Sequence, residues 1–215
     1  MDGYNSVVAL GDRVLVNEPM SPHTSFHIGG PADLYALATS ASELIELVSL
    51  ARKHDIPFFI IGRGTNILVA DKGIRGLVIE SGAQDIRFED HAVLYAESGA
   101  LLRDLALEST RRGLGGLEWA VDIPGSVGGA IVGNAGAYGG YISDVAQKVI
   151  VLAPDGMVHE LSAKEIGFGY RTSKFKGQGA KDMQEVILSA EFVVDLESAQ
   201  ALTERMADYT RRREE

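Results

Sequence analysis

The chain contains no cysteine. Disulfides, thiolate nucleophiles and cysteine-ligated metals are therefore excluded, and the composition is compatible with a reducing cytosol. Formal net charge is −10, and no basic block precedes Arg211-Arg212-Arg213, so nucleic acid is not expected as a partner. No apolar run reaches the roughly 18 residues that a membrane span needs. The N-terminal MDGYNSVVALGDRV lacks a basic segment followed by a sustained apolar one. No signal peptide is read there, and the cytoplasm is the expected location. No internal repeat is found. What is present is a 215-residue chain, 46% apolar and 23% charged. That is an ordinary globular composition, enough for one large domain or two small ones.

Ile123–Gly140, IPGSVGGAIVGNAGAYGG, holds seven glycines among mostly small or apolar neighbours. A glycine inside an element costs about 0.5–1 kcal/mol relative to alanine. So many in one run point to backbone that approaches something closely. Val127, Ala130, Ile131 and Val132 favour burial, which argues against a loose surface loop.

The rest of the chain reads as α+β. Residues 1–20 are expected to be an amphipathic lead-in with a short helix over Ser6–Leu10. Gly29-Gly30-Pro31 is a turn and Asp33–Ala38 a strand. Ser40-Ala41-Ser42-Glu43 is a capping box that starts a helix ending before Pro57. Pro57–Ile61 and Gly76–Glu80 are apolar strands. Between them stands Gly62-Arg63-Gly64-Thr65-Asn66. A dinucleotide fingerprint is excluded there, because a third glycine is missing and only five residues separate Asn66 from the Lys72-Gly73 turn. What remains is a short nest of backbone N–H groups, able to bind a pyrophosphate, or a simple tight turn. His23 and His27 are four apart, but Pro22 and Gly29 oppose a helix and no further ligand is near. They are read as making ordinary polar contacts, and no metal site is expected.

From Gln84 the texture is β, with strands over Asp85–Glu89, Val93–Glu97, Lys148–Ala153 and Met157–Leu161. Asp155-Gly156 is a hairpin turn. Leu101–Arg112 is an amphipathic helix closed by Gly113. A further short helix is expected near Ser126, and one helical turn at Ser162-Ala163-Lys164-Glu165. Residues 176–182 read as flexible and polar, Glu185–Val194 as a strong strand, and Glu197–Arg213 as an amphipathic helix.

Four motifs in order, HTSFHIGGPADL, IGRGTNILVADKGIRGLVI, GLEWAVDIPGSVGGAIVGNAGAYGG and FGYRTSKFK, resemble bacterial UDP-N-acetylenolpyruvoylglucosamine reductases. The resemblance runs from about residue 17 to the end. It implies the FAD-binding fold of the vanillyl-alcohol oxidase (PCMH-type) group, with two α/β subdomains over residues 21–80 and 81–195. Residues 196–215 would be a helix leading to a third domain that the chain lacks. It implies non-covalent FAD and NADPH as electron donor. Gly62, Arg63, Gly64, Thr65 and Asn66 match the family's pyrophosphate loop. Ile123, Pro124, Gly125, Ser126, Val127, Gly128 and Gly129 match a second flavin-lining segment. Asn134, Ala135 and Gly136 lead on towards the flavin ring, with Tyr138 and Tyr170 towards the substrate, and Ile187 flanks the flavin. Arg171 matches the family's catalytic arginine, a fixed cation beside the substrate carboxylate.

The implied activity belongs to peptidoglycan precursor synthesis. NADPH reduces the flavin, which passes hydride to the enolpyruvyl group of a UDP-sugar. The family's proton-donor serine motif and its C-terminal glutamate are not found, and Ser173 stands in the arginine's motif instead. An FAD-binding fragment without complete catalysis is therefore the alternative. A third is an oxidase on the same fold with flavin attached through His23 or His27.

Overall fold

The protein is described here by a computed structural model, covering residues 2–9, 13–89, 92–177 and 185–214. Much of the polar 176–182 segment lies outside the described residues.

The first half is a sheet with one helix on its face. Helix α1 spans Asp2–Val8, earlier than the expected Ser6–Leu10. Long-range burial sets its position: Val7 is fully buried, and the Tyr4 hydroxyl donates to Asp33 Oδ2 at 3.2 Å. Strand β1 (Val14–Pro19) pairs antiparallel with β2 (Pro31–Ala38). Residues 1–20 are thus more than a lead-in, since the sheet's edge strand comes from them. Helix α2 covers Ala41–Lys53. Ser40 Oγ accepts the Glu43 N–H, and the Glu43 carboxylate reaches back to the N–H of Thr39 at 2.7 Å. The box closes one residue earlier than the usual pattern.

Strands β3 (Phe58–Ile61) and β4 (Ile74–Ser81) complete the order β1-β2-β4-β3, with β4 parallel to both neighbours. The alternation of the strands sorts the core. Leu34, Ala36, Ala38, Leu77 and Ile79 face α2, while Tyr35 and Val78 join Met20, Ile61 and Val69 on the other side. Ala32 joins that second group because the β2–β4 register shifts between Ala32 and Leu34.

The second half is an antiparallel sheet. Strands β5 (Ile86–Glu89) and β6 (Val93–Glu97) form a hairpin. Helix α3 (Leu102–Arg111), the two-residue strand β7 (Leu114–Gly115) and helix α4 (Val127–Gly133) follow. A small hairpin, β8 (Gly136–Ala137) and β9 (Gly140–Tyr141), leads to α5 (Ile142–Val145). Strands β10 (Ala146–Leu152) and β11 (Val158–Ser162) turn at Asp155-Gly156, where Asp155 accepts the Met157 N–H. Then come α6 (Ala163–Ile166), β12 (Val186–Val193), β13 (Asp195–Leu196) and α7 (Ala199–Glu214). The order is β11-β10-β12-β6-β5.

Helix α2 lies between the two sheets. Ile150, Leu152, Val186 and Leu188 of the second sheet pack into the cluster that α2 shares with the first. Val149, Val151, Ala190 and Phe192 point the other way, into a larger core closed by α3, α4 and α7. The sheets are also tied at their ends. Ser81, ending β4, and Ser98, just after β6, are buried with their hydroxyls 2.7 Å apart.

Candidate functional site

Ligand clefts in open α/β sheets lie beyond the carboxyl ends of parallel strands. Here β3 ends at Ile61 and runs into Gly62–Asn66. This loop is fixed from two sides. A methyl group on Gly64, whose φ is +60°, would sit 1.9 Å from the His23 carbonyl oxygen. The Ser25 N–H donates to the Gly64 carbonyl at 3.1 Å. On the other side, a methyl on Gly62 would lie 2.1 Å from Ser126 Oγ, and the Thr65 hydroxyl donates to the Pro124 carbonyl at 3.3 Å. The two glycine segments foreseen as a pair are therefore in direct contact.

Helix α4 begins where the short helix was expected. Ser126 caps it by accepting the Gly129 N–H at 3.3 Å. Its apolar face, Val127, Ala130 and Ile131, is buried in the larger core and fixes the opposite face towards the cleft.

The cleft has a volume of about 590 Å³. It is lined by residues 62–66, by Ile123, Pro124, Gly125, Ser126 and Gly129, and by Ala135, Gly136 and Arg171. A smaller cavity of about 280 Å³ adjoins it through Gly62, Ser126 and Gly129, and Gly128, Ile187, Ser81 and Ser98 line that one. Four of the expected residues line neither cavity. Val127 is buried in the core behind the cleft. Asn134 is buried too: its amide donates to the Gly169 carbonyl at 3.0 Å and its oxygen accepts the Ser143 N–H at 3.0 Å. Tyr138 stacks on Tyr209, ring centroids 4.7 Å apart, and Tyr170 is 85% exposed.

The glycines of the second segment were expected to make room for a ligand. Most make room for protein instead. Added methyls on Gly125, Gly128, Gly136 and Gly140 would meet Thr65, Ser98, Tyr141 and Trp119. Gly129 and Gly133, one turn apart on α4, are the two whose side of the helix opens on the cleft. A methyl on Gly129 would have Ser126 Oγ as its nearest neighbour at 3.5 Å, and one on Gly133 would meet nothing within 4 Å.

Arg171 sits at φ +55° in a two-residue turn closed by reciprocal bonds between Gly169 and Thr172. A bulky residue with that backbone is uncommon and is held by its surroundings. Two bonds from α4 and its cap do this: Asn134 on Gly169, and the Ser173 hydroxyl on the Val132 carbonyl at 2.9 Å. Asn134 and Ser173 thus fasten the arginine turn to the glycine helix.

Among the described residues, three cations line the cleft of this acidic chain: Arg63, Arg171 and Arg213. Arg63 lies 3.5 Å from Glu80. Glu80 also accepts the Tyr35 hydroxyl at 2.6 Å and stands 3.5 Å from His23, whose other ring nitrogen is 3.0 Å from Glu18. Burial first, then the hydrogen bond and charge of Glu80, raise the Tyr35 phenol well above its ordinary value. Glu80, Tyr35 and Arg213 were not foreseen as part of a site. The sequence signal for Glu80 and Tyr35 is faint: each is a polar group within an apolar strand.

The arrangement suits an extended, anionic dinucleotide. Its floor is glycine and aliphatic side chains, two glycines open on it, and its rim carries guanidinium groups. The FAD binding domain family matches residues 32–162. UDP-N-acetylenolpyruvoylglucosamine reductases from Syntrophomonas wolfei and Clostridium botulinum are each 41% identical over 95% of the chain, covering 67% and 65% of the relative. The chain thus spans about two thirds of the length of these curated relatives. The crystal structure of the reductase from Thermus caldophilus is similar at a TM-score of 0.76, with 28% identity, over 94% of this chain and 68% of that one. p-Cresol methylhydroxylase shares the fold at a TM-score of 0.62 and 17% identity, over 92% of this chain and 44% of that one. The expected FAD-binding fold of the vanillyl-alcohol oxidase (PCMH-type) group is thereby shown.

Proposed function

The chain belongs to the UDP-N-acetylenolpyruvoylglucosamine reductase family and carries its FAD binding domain; on that premise we propose that it holds FAD non-covalently between residues 62–66 and 123–129. With NADPH as donor, it would reduce the enolpyruvyl group of UDP-N-acetylglucosamine enolpyruvate in peptidoglycan precursor synthesis, in the cytoplasm. Residues 21–80 and 81–195 would be its two subdomains. One observation carries the proposal. Two glycine segments touch, and beyond their contact a cationic cleft opens with room left by Gly129 and Gly133.

In this proposal the flavin supplies the redox chemistry when bound. The chain's own residues bind and orient. The nest at 62–66 and Arg63 take the negative pyrophosphate, as backbone N–H groups and a guanidinium do well. Gly129 and Gly133 allow the ring system close to helix backbone. Arg171 offers an always-charged fork of donors where negative charge grows on the substrate carboxylate. Asn134 and Ser173 keep that fork over the cleft.

A second proposal, a flavin-binding unit that does not turn over on its own, draws on one observation. Tyr170 is 85% exposed, so the substrate side of the arginine turn stands open to solvent.

One experiment serves both. The purified chain should be yellow, or become so with added FAD, and acid precipitation should release all the flavin. Colourless protein that cannot be reconstituted would overturn the FAD site, and flavin that stays with the acid pellet would overturn non-covalent binding. NADPH followed by the enolpyruvyl sugar then separates the two proposals: bleaching and recovery of colour support the complete reaction, and bleaching alone the partial one.

A further inference from the structure

Helix α7 carries an apolar seam at Leu202, Met206 and Tyr209, spaced four and three residues apart. Leu202 and Met206 are buried, and Tyr209 packs against the same core. The next position on that seam, four residues on, is Arg213. A cation thus stands where the helix face would continue apolar. Tyr209 stacks on Tyr138 at an interplanar angle of 9°, which lays the end of α7 against the β8–β9 hairpin. Gly136 and Ala137 of that hairpin line the cleft together with Arg213. The two arginines that precede Arg213 are differently engaged. Arg211 and Arg212 both pair with Asp208, the latter at 2.6 Å. Arg213 makes no such pair among the described residues.

We propose that Arg213 is a diphosphate-binding residue of the cleft, carried there by the seam of α7 and the Tyr138–Tyr209 stack. The inference rests on the FAD-binding proposal and extends it to the C-terminal helix. A guanidinium offers parallel N–H donors that match phosphate oxygens two at a time. With Arg63 and Arg171 it forms a cationic rim on a chain of net charge −10. Two diphosphates could meet it, that of FAD and that of the UDP-sugar, and the chemistry is the same for both.

The test titrates the full chain with FAD by flavin fluorescence and, separately, with UDP by calorimetry. Three proteins are compared: the unaltered chain, Arg213→Gln and Arg212→Gln. Arg213→Gln should weaken one of the two ligands about tenfold, as expected for loss of charge-assisted hydrogen bonds. Arg212→Gln should stay within about twofold, and the gap between them should narrow as salt rises. Loss of FAD affinity assigns the residue to the cofactor, and loss of UDP affinity alone assigns it to the substrate. Unchanged affinity for both overturns the inference while leaving the FAD site standing. Failure of the unaltered chain to bind either ligand overturns both. Unchanged thermal unfolding of Arg213→Gln checks that the fold is intact.

Discussion

The two glycine segments that meet at the cleft are held by opposite means. Gly62–Asn66 is held by backbone fit and polar contacts: a carbonyl against Gly64, a hydroxyl against Gly62, and the Arg63–Glu80–Tyr35 chain of charges and hydrogen bonds. Ile123–Gly140 is held by burial, with Val127, Ala130 and Ile131 anchored in the larger core. The first has little slack and little apolar backing. The second has much backing and leaves room beside Gly129 and Gly133 on the cleft side of its helix. The difference separates glycine as a structural need from glycine as room for a ligand, which composition alone does not do.

The sharpest way to break this contrast is Gly64→Ala. Its methyl would meet the His23 carbonyl at 1.9 Å, and its φ of +60° is unfavourable for alanine. Displacing backbone and holding a left-handed residue together should cost about 3 kcal/mol or more. For a chain of this size the unfolding midpoint should drop by about 6–12 °C. An unchanged midpoint would mean that the loop is free to move and that backbone fit does not hold it.

Next in size is Gly133→Ala, where the expected effects part. The methyl meets no protein atom within 4 Å, so stability should hold within about 1 kcal/mol. It would project into the cleft, so FAD affinity, followed by flavin fluorescence, should fall about tenfold, or about 1.4 kcal/mol. Lost stability with unchanged FAD affinity would reverse the roles given to the two segments.

What the chain discloses in sequence follows the range of the interactions. The Ser40 cap of α2, the Asp155-Gly156 hairpin and the start of α4 at Ser126 depend on residues two or three apart, and each is found where local rules put it. Strand β1 is not legible in this way, because its partner Leu34 is 18 positions from Val16 and the pairing alone makes it a strand. Asn134 is 35 residues from the Gly169 carbonyl it holds, so its motif suggests a ligand contact while its amide is in fact engaged within the protein. Gly128, Gly136 and Gly140 look the same in sequence as Gly133, and only their neighbours Ser98, Tyr141 and Trp119 tell them apart. The family resemblance brought the two segments together because it carries long-range information that spacing lacks.

The smallest expected effect tests the polar side of the contrast. Tyr35 donates to Glu80, which stands beside Arg63 at the cleft. Tyr35→Phe removes that donor and should cost about 1 kcal/mol. The folded phenol's pKa is raised above the ordinary value of 10.0. Its contribution is therefore fully present below the unfolded value and is lost as pH rises from there towards the folded one. Urea unfolding of the unaltered chain and the variant should differ most near pH 8 and converge above pH 10 or so. Variants of the second segment should show no such convergence, since apolar burial binds no proton. A constant gap across that range would mean that the phenol–carboxylate bond does not brace the first segment, and that it too is held by packing.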